Sequence, residues 1–197
     1  MGPSTLVYVS SYSGNTEETL SACVEARGRG ARVVCSKSGG VVGWVAAESG
    51  PDVVRVPTGE PPRAALGDGR APPLVVRRRL ALAPAPSRDV SVEAASLGAG
   101  VGRLGLEASS EGNEAKELAL FLSGRVPVVY GSAPATSVVA NRWCGQLSEN
   151  SKVVAHRNEL PEMNHNEIVG WSGERPMGGD ARVVFLRDSD DHPRVAR

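Results

Sequence analysis

The chain has 197 residues, enough for one large domain or two small ones with a real core. Its 22 Lys plus Arg balance 22 Asp plus Glu, so bulk charge supplies no reason to expect a nucleic-acid partner or a membrane surface. No apolar run approaches the roughly 20 residues of a membrane helix, and the N-terminus, Met1 to Leu6, has no charged segment leading into an apolar one as a signal peptide would. Cys23, Cys35 and Cys144 are odd in number and lack CxxC or metal spacing, so reduced thiols and a cytoplasmic location are expected.

Leu6-Val7-Tyr8-Val9 is a short apolar run that stops at a Ser/Gly/Asn cluster, the pattern of a strand buried on both faces of a parallel sheet. Thr16 to Ala26 then reads as a helix with Glu17 and Glu18 in its first turn, closed by Gly28 and Gly30. Ala31 to Cys35 and Asp52 to Val56 supply two further strands. Residues 64–120 are rich in Ala, Leu and Gly, with Pro72, Pro73, Pro84 and Pro86. Ala64-Ala65-Leu66 and Glu114 to Leu122 look helical there. Gly98, Gly100, Gly102 and Gly105 each weaken a helix by up to about 1 kcal/mol, so poorly formed helices or a mobile linker are expected between them. A second α/β pattern begins with the strand Arg125 to Gly131 and the helix Ala135 to Gln146. Val153 to His156 and Arg182 to Leu186 add two strands. The chain therefore reads as α/β, with two similar half-units and a helical segment between them.

Two polar clusters stand out. Ser11-Tyr12-Ser13-Gly14-Asn15-Thr16 lies where a buried strand hands over to a helix. Ligands of open α/β sheets bind at such strand ends, and a helix N-terminus there offers free N–H groups to an anion. Ser11, Ser13 and Thr16 add hydroxyls, and Gly14 lets the backbone come close to an anion. The result is a phosphate cradle without Lys or Arg. The second cluster runs from Glu149-Asn150-Ser151-Lys152 to Asn164-His165-Asn166-Glu167, followed by apolar Ile168-Val169-Gly170-Trp171. Such polar groups stabilise nothing unless they have partners or a task. Other residues take plainer readings: Arg77-Arg78-Arg79 is a solvated face, His156 and His192 are turn residues, and Trp44, Trp143 and Trp171 belong to the core.

Ser-Tyr-Ser-Gly-Asn-Thr-x-Glu-Thr resembles the sugar-phosphate-binding motif of sugar isomerase (SIS) domains. Pro62-Arg63-Ala64-Ala65, Val126 to Gly131, Arg142-Trp143, Glu149 to Lys152 and Asn164 to Trp171 follow in the order of one branch, the bifunctional phosphoglucose/phosphomannose isomerase family. The resemblance implies two SIS-type, flavodoxin-like parallel-sheet sandwich subdomains: 1–62 as a partial first, 63–124 as a helical linker region, and 125–197 as a partial second. It puts Ser11, Ser13 and Thr16 on the substrate phosphate. It makes Glu149 the base that shuttles a proton between C1 and C2, and His165 the ring-opening residue, supplied across a homodimer. Arg63 falls near the enediolate. Family members are longer at both ends, with a Gly-Ser-rich phosphate loop before the Ser11 loop and a Lys-bearing helix at the C-terminus, so both subdomains are expected to be truncated.

The chemistry suits these side chains. Aldose–ketose exchange through a cis-enediol needs one base that takes a carbon-bound proton and returns it next door, which partial desolvation of a Glu favours. A fixed Arg charge stabilises the enediolate, and His titrates in the range ring opening requires. No metal and no cofactor is required. The expectation is therefore a hexose 6-phosphate isomerase acting between glucose 6-phosphate or mannose 6-phosphate and fructose 6-phosphate, in glycolysis or gluconeogenesis, with no nucleic acid and no membrane as partner. The alternative is a non-catalytic sugar-phosphate-binding module or an inactive fragment. An aminosugar-phosphate enzyme is disfavoured, since no glutamine-hydrolysing domain is visible.

Overall fold

The computed structural model describes residues 1–42, 52–82, 87–173 and 179–195. Trp44, Pro84 and Pro86 lie outside them. Packing divides the chain into two compact units, Met1–Glu93 and Ala94–Arg197.

The first unit is built on three parallel strands, β1 (Leu6–Ser10), β2 (Arg32–Lys37) and β3 (Val53–Arg55), in the order β1-β2-β3. Leu6 pairs with Arg32 and Cys35 with Val53. Parallel neighbours need a crossover, and α1 (Glu17–Gly28) supplies the first. It buries Cys23 and Ala26, three residues apart on one face, and packs Leu20 beside them. Val9, Cys23, Cys35 and Val42 form the core, with Val7, Leu20, Val33 and Val53 against it. Each fully buried aliphatic side chain there contributes about 1.5–3 kcal/mol. Gly30, at φ +77°, closes the helix.

The middle of the chain is more regular than its composition suggested. α2 (Leu66–Arg79) carries Pro72 and Pro73 inside it, with Pro72 buried. α3 (Ser87–Leu104) runs unbroken through Gly98, Gly100 and Gly102. Glycine weakens a helix without forbidding it, and here the cost is met. Arg77, Arg78 and Arg79 are exposed in the last turn of α2, the solvated face expected. α4 (Glu114–Leu122) has the bounds read from the sequence, because Asn113 caps it: its Oδ1 accepts the Lys116 N–H at 3.1 Å.

The second unit repeats the plan. β4 (Val126–Ser132) is central in the order β5-β4-β6, parallel to both β5 (His156–Leu160) and β6 (Ala181–Phe185). Six of its seven residues are buried, as its apolar run requires. α5 (Ala135–Gln146) follows β4, and Gly131 permits the handover: a Cβ there would lie 2.3 Å from the Thr136 carbonyl. Val128, Tyr130, Leu160, Met163 and Ala181 form the core, with Trp171, Val183 and Val195 packed on it. Trp171 is thus a core residue as expected, and Trp143 is half-buried on α5.

One strand differs from the sequence reading. Val153 to Ala155 are not in β5, which starts at His156 and continues through polar residues to Leu160. The Val153 N–H is bound to the Leu147 carbonyl at 3.3 Å, so the apolar run finishes the preceding helical turn. β4 pairs with the residues after it, Val128 opposite His156 and Ser132 opposite Leu160. His156 is accordingly a strand residue, not a turn residue.

Candidate active site

The Ser11 loop leaves β1 at the C-terminal edge of the first sheet and enters α1. The Ser11 N–H donates to the Ser36 carbonyl of β2 at 3.1 Å, which anchors the start of the loop. The buried Ser11 hydroxyl then accepts the Gly14 N–H at 3.0 Å and lies 3.1 Å from the Thr16 hydroxyl. Ser13 accepts the Asn15 N–H at 3.3 Å and stays exposed. Thr16 occupies the N-cap position of α1, yet its side chain does not cap the helix. Its hydroxyl is turned to Ser11. The first N–H groups of α1 are thereby left for another acceptor, where the helix dipole favours an anion.

Gly14 carries a constraint beyond the one its sequence context suggested. At φ +70°, a Cβ on Gly14 would sit 2.0 Å from the Gly39 carbonyl oxygen. The space a side chain would need is filled by the loop after β2. That loop is knitted to the first: Ser38 N–H to Tyr12 O at 3.0 Å, Val42 N–H to Gly14 O at 2.9 Å, and Val41 N–H to Asn15 Oδ1 at 3.1 Å. Lys37 donates to the Gly40 carbonyl at 2.9 Å, so a cation stands beside the paired loops. The sequence reading missed this second loop. Ser38-Gly39-Gly40 directly after a strand, at the same sheet edge as Ser11, was the signal available.

Arg63 is half-buried in a turn just before α2. The turn is closed by Ala64 N–H to Pro61 O at 2.8 Å. Tyr12 ties this segment to the Ser11–Thr16 loop, because its hydroxyl accepts the Glu60 N–H at 3.2 Å. Two expected site features, the hydroxyl cradle and the Arg63 turn, are thus linked through Tyr12 on one connected surface of the first unit.

Glu149 and His165 are carried by the second unit on separate elements. Glu149 is exposed on a single π-helical turn, Leu147–Ser151, that continues α5. Such turns are rare and occur often at functional sites, because the widened turn pushes a side chain out of the helical row. Lys152, in the left-handed region at φ 58°, ends the turn and donates to the Glu149 carbonyl at 2.6 Å. His165 is exposed on the short α6 (Glu162–His165), which is followed by a 3-10 turn, Ile168–Ser172. No hydrogen bond joins Glu149 to His165 among the described residues.

Two other members of the Asn-His-Asn-Glu cluster, Asn166 and Glu167, do find partners. Asn166 donates to Glu162 at 2.8 Å. The Glu167 carboxylate accepts from the Tyr130 hydroxyl, from Asn158 Nδ2 at 2.6 Å, and pairs with His156 Nε2 at 3.0 Å. Trp171 Nε1 donates to the Tyr130 hydroxyl at 2.9 Å. Partial burial pushes the Glu167 carboxyl up, but these hydrogen bonds outweigh it and hold it at about 2. Burial, then the bond to Glu167, pushes the Tyr130 phenol up.

The second unit also repeats the Ser/Thr handover, with one difference. Ser132 at the end of β4 has its N–H on the Thr136 hydroxyl at 2.7 Å, and the two hydroxyls are 3.1 Å apart. Here the chain supplies its own anion, since the Ser132 hydroxyl donates to Asp191. That hydrogen bond, and another from the Asp188 N–H, hold the Asp191 carboxyl below its usual range. Nearby, Ala133, Leu160, Pro161, Asn164, His192 and Val195 help line a cavity of about 630 Å³ at the C-terminal ends of β4 and β5. His192 keeps the turn role read from the sequence, with Nδ1 accepting the Arg194 N–H at 3.2 Å.

Comparison with known proteins bears on these residues. Residues 111–197 match the family described as bacterial phospho-glucose isomerase C-terminal SIS domain. The chain is 41% identical over 192 residues to a bifunctional phosphoglucose/phosphomannose isomerase of Caldicellulosiruptor bescii, covering 98% of this chain and 57% of the relative. It is 38% identical to the protein of that name from Aquifex aeolicus, covering 96% and 55%. In fold it is similar to a crystal structure from Clostridium difficile 630 assigned as a phosphosugar isomerase, with a TM-score of 0.63 at 16% identity, over 100% of this chain and 55% of that one. The chain spans a little over half the length of the curated relatives it matches. With its two parallel α/β units and its Ser11, Glu149 and His165 motifs in order, the chain is similar to the bifunctional phosphoglucose/phosphomannose isomerases over that part of their length, and its C-terminal part matches a SIS domain.

Proposed function

We propose that this chain carries the catalytic side chains of an aldose–ketose isomerase of hexose 6-phosphates, interconverting glucose 6-phosphate or mannose 6-phosphate with fructose 6-phosphate. Residues 1–62 and 125–197 act as two SIS subdomains joined by 63–124. The observation that carries the reading is the Ser11–Thr16 cradle, whose hydroxyls turn to each other and leave the α1 N-terminus uncapped. A phosphate dianion satisfies those N–H groups and gains from the helix dipole. Relatives 41% and 38% identical to this chain are named phosphoglucose/phosphomannose isomerases, which supports the sugar-phosphate class.

In this reading the cradle fixes the phosphate end of the open-chain sugar through Ser11, Ser13 and Thr16. Glu149 removes the proton from C2 of the aldose, and the Arg63 guanidinium balances the charge developing on the enediolate oxygens. Glu149 then returns the proton to C1 while the C2 hydroxyl proton passes to the C1 oxygen, giving the ketose. One base working on one face serves both carbons, so no second acid–base group is needed for the carbon transfer. His165 moves the proton that opens the ring. A homodimer and a cytoplasmic setting complete the proposal, with proton transfer assigned to side chains alone.

A coupled assay with fructose 6-phosphate tests it. Turnover in the parent that falls by about 10² or more in Glu149→Gln, while phosphate-ligand binding survives, is the expected result. Binding without turnover in the parent indicates a sugar-phosphate-binding module instead.

A further inference from the structure

The Asn-His-Asn-Glu cluster contributes one residue, His165, to the proposed chemistry and leaves its acid without a role. The geometry around that acid is specific. α6 is a single four-residue turn, closed by Asn166 N–H to Glu162 O at 3.2 Å and Glu167 N–H to Met163 O at 3.1 Å. So short a helix does not hold itself in place. Two side chains fasten it to the sheet. Met163, 7% exposed, enters the core beside Tyr130 and Leu160. Glu167, one turn later on the same face, reaches across to Tyr130 on β4 and to His156 and Asn158 on β5. His165 lies midway between these anchors and points to solvent.

We propose that Glu167 is a positioning residue for His165: its carboxylate, gripped by donors from two strands, clamps the turn that presents the imidazole. The clamp is directional because three donors converge on two oxygens. Tyr130 is itself fixed from the far side by the Trp171 N–H, so the phenol cannot swing away from Glu167. Asn158 adds a contact with Asn166 at 3.4 Å, on the residue directly after His165. A hydrophobic anchor alone, Met163, would leave the turn free to rotate about one point. The carboxylate supplies the second point. The catalytic part of this inference rests on the isomerase reading of His165, whereas the clamp does not.

Full-chain Glu167→Ala, Glu167→Gln and His156→Ala separate the two. Amide hydrogen exchange reads the clamp, and kcat, KM and the pH profile with fructose 6-phosphate read its consequence. In Glu167→Ala, exchange at residues 163–168 should rise about tenfold or more while β4 amides stay as in the parent. The kcat should fall about tenfold with KM within about twofold, since the phosphate loop is untouched, and the pH profile of kcat should change. Glu167→Gln keeps one acceptor oxygen and should fall between the parent and Ala, a partial rescue that simple loss of packing would not give. His156→Ala removes one exposed donor, leaves the fold intact, and should raise exchange at the turn alone. Parental exchange in Glu167→Ala and His156→Ala overturns the clamp. Raised exchange with an unchanged kcat and pH profile overturns the positioning role. If the parent turns over no hexose phosphate, the isomerase reading fails by itself, and exchange together with the His165 ring nitrogen shifts still decides the clamp.

Discussion

Replacing Gly14 by Ala is the most direct perturbation of the Ser11–Thr16 loop, the proposed phosphate cradle. The added Cβ would lie 2.0 Å from the Gly39 carbonyl oxygen and 2.9 Å from its carbon, with φ at +70°. Holding an L-residue in that left-handed conformation costs about 1–2 kcal/mol. The clash is with backbone, so the loop after β2 must withdraw. That loosens Val42 N–H to Gly14 O and Val41 N–H to Asn15 Oδ1, each worth about 1 kcal/mol. The total, about 3–4 kcal/mol, is a large share of the 5–15 kcal/mol of a typical domain. Urea unfolding compared with Gly28→Ala measures it. Gly28 lies in α1 with nothing within 4 Å of its added Cβ, so Ala there should be neutral or stabilising by up to about 1 kcal/mol. Calorimetric titration with fructose 6-phosphate should also show weakened binding in Gly14→Ala. A stability loss below about 1 kcal/mol with parental affinity would refute the account of why glycine stands at this position.

Three further outcomes follow from the same geometry. The Glu167 carboxyl is held at about 2 against an ordinary 4.5, so its contribution is complete above that ordinary range and is lost as pH falls towards 2. Urea midpoints taken between about pH 6 and about pH 3 should fall less steeply in Glu167→Gln than in the parent, by about 2 kcal/mol over the interval. Gly131→Ala drives a Cβ to 2.3 Å from the Thr136 carbonyl and should destabilise the second unit by about 2–3 kcal/mol in a urea melt, through overpacking at the head of α5. Burial and the neighbouring Cys23 thiol push the Cys35 thiol up to about 11, and both side chains are 0% exposed. Thiol labelling of the native protein near pH 8 should therefore reach half-buried Cys144 first, with Cys23 and Cys35 reacting only on unfolding.

Much of this protein is legible in its amino-acid order. The apolar runs at 6–9 and 126–130 form parallel strands, the first half-buried and the second almost wholly buried, because short runs rich in β-branched and aromatic residues and bounded by Ser and Gly have few other solutions. The α4 and α5 boundaries follow from a capping Asn and a Pro, which are local effects. The Ser11 loop, Arg63, Glu149 and His165 were identifiable as motifs for the same reason: each is a short run of residue types whose spacing is fixed along the chain. Local signals misplaced β5, since Val153 to Ala155 look more strand-like than the polar His156 to Leu160. Pairing with β4 is a long-range decision that no local propensity contains. Tertiary structure alone decided what Gly14, Glu167 and Asp191 do. Gly14 is a glycine because Gly39, 25 positions away (39 − 14), fills the space beside it. Glu167 is a clamp because Tyr130, His156 and Asn158 converge on it. Asp191 occupies the second Ser/Thr cradle, 59 positions from the Ser132 hydroxyl it accepts. A sequence states which donors and acceptors exist, but hydrogen bonds and steric exclusions between distant segments come into being only when the fold closes the distance.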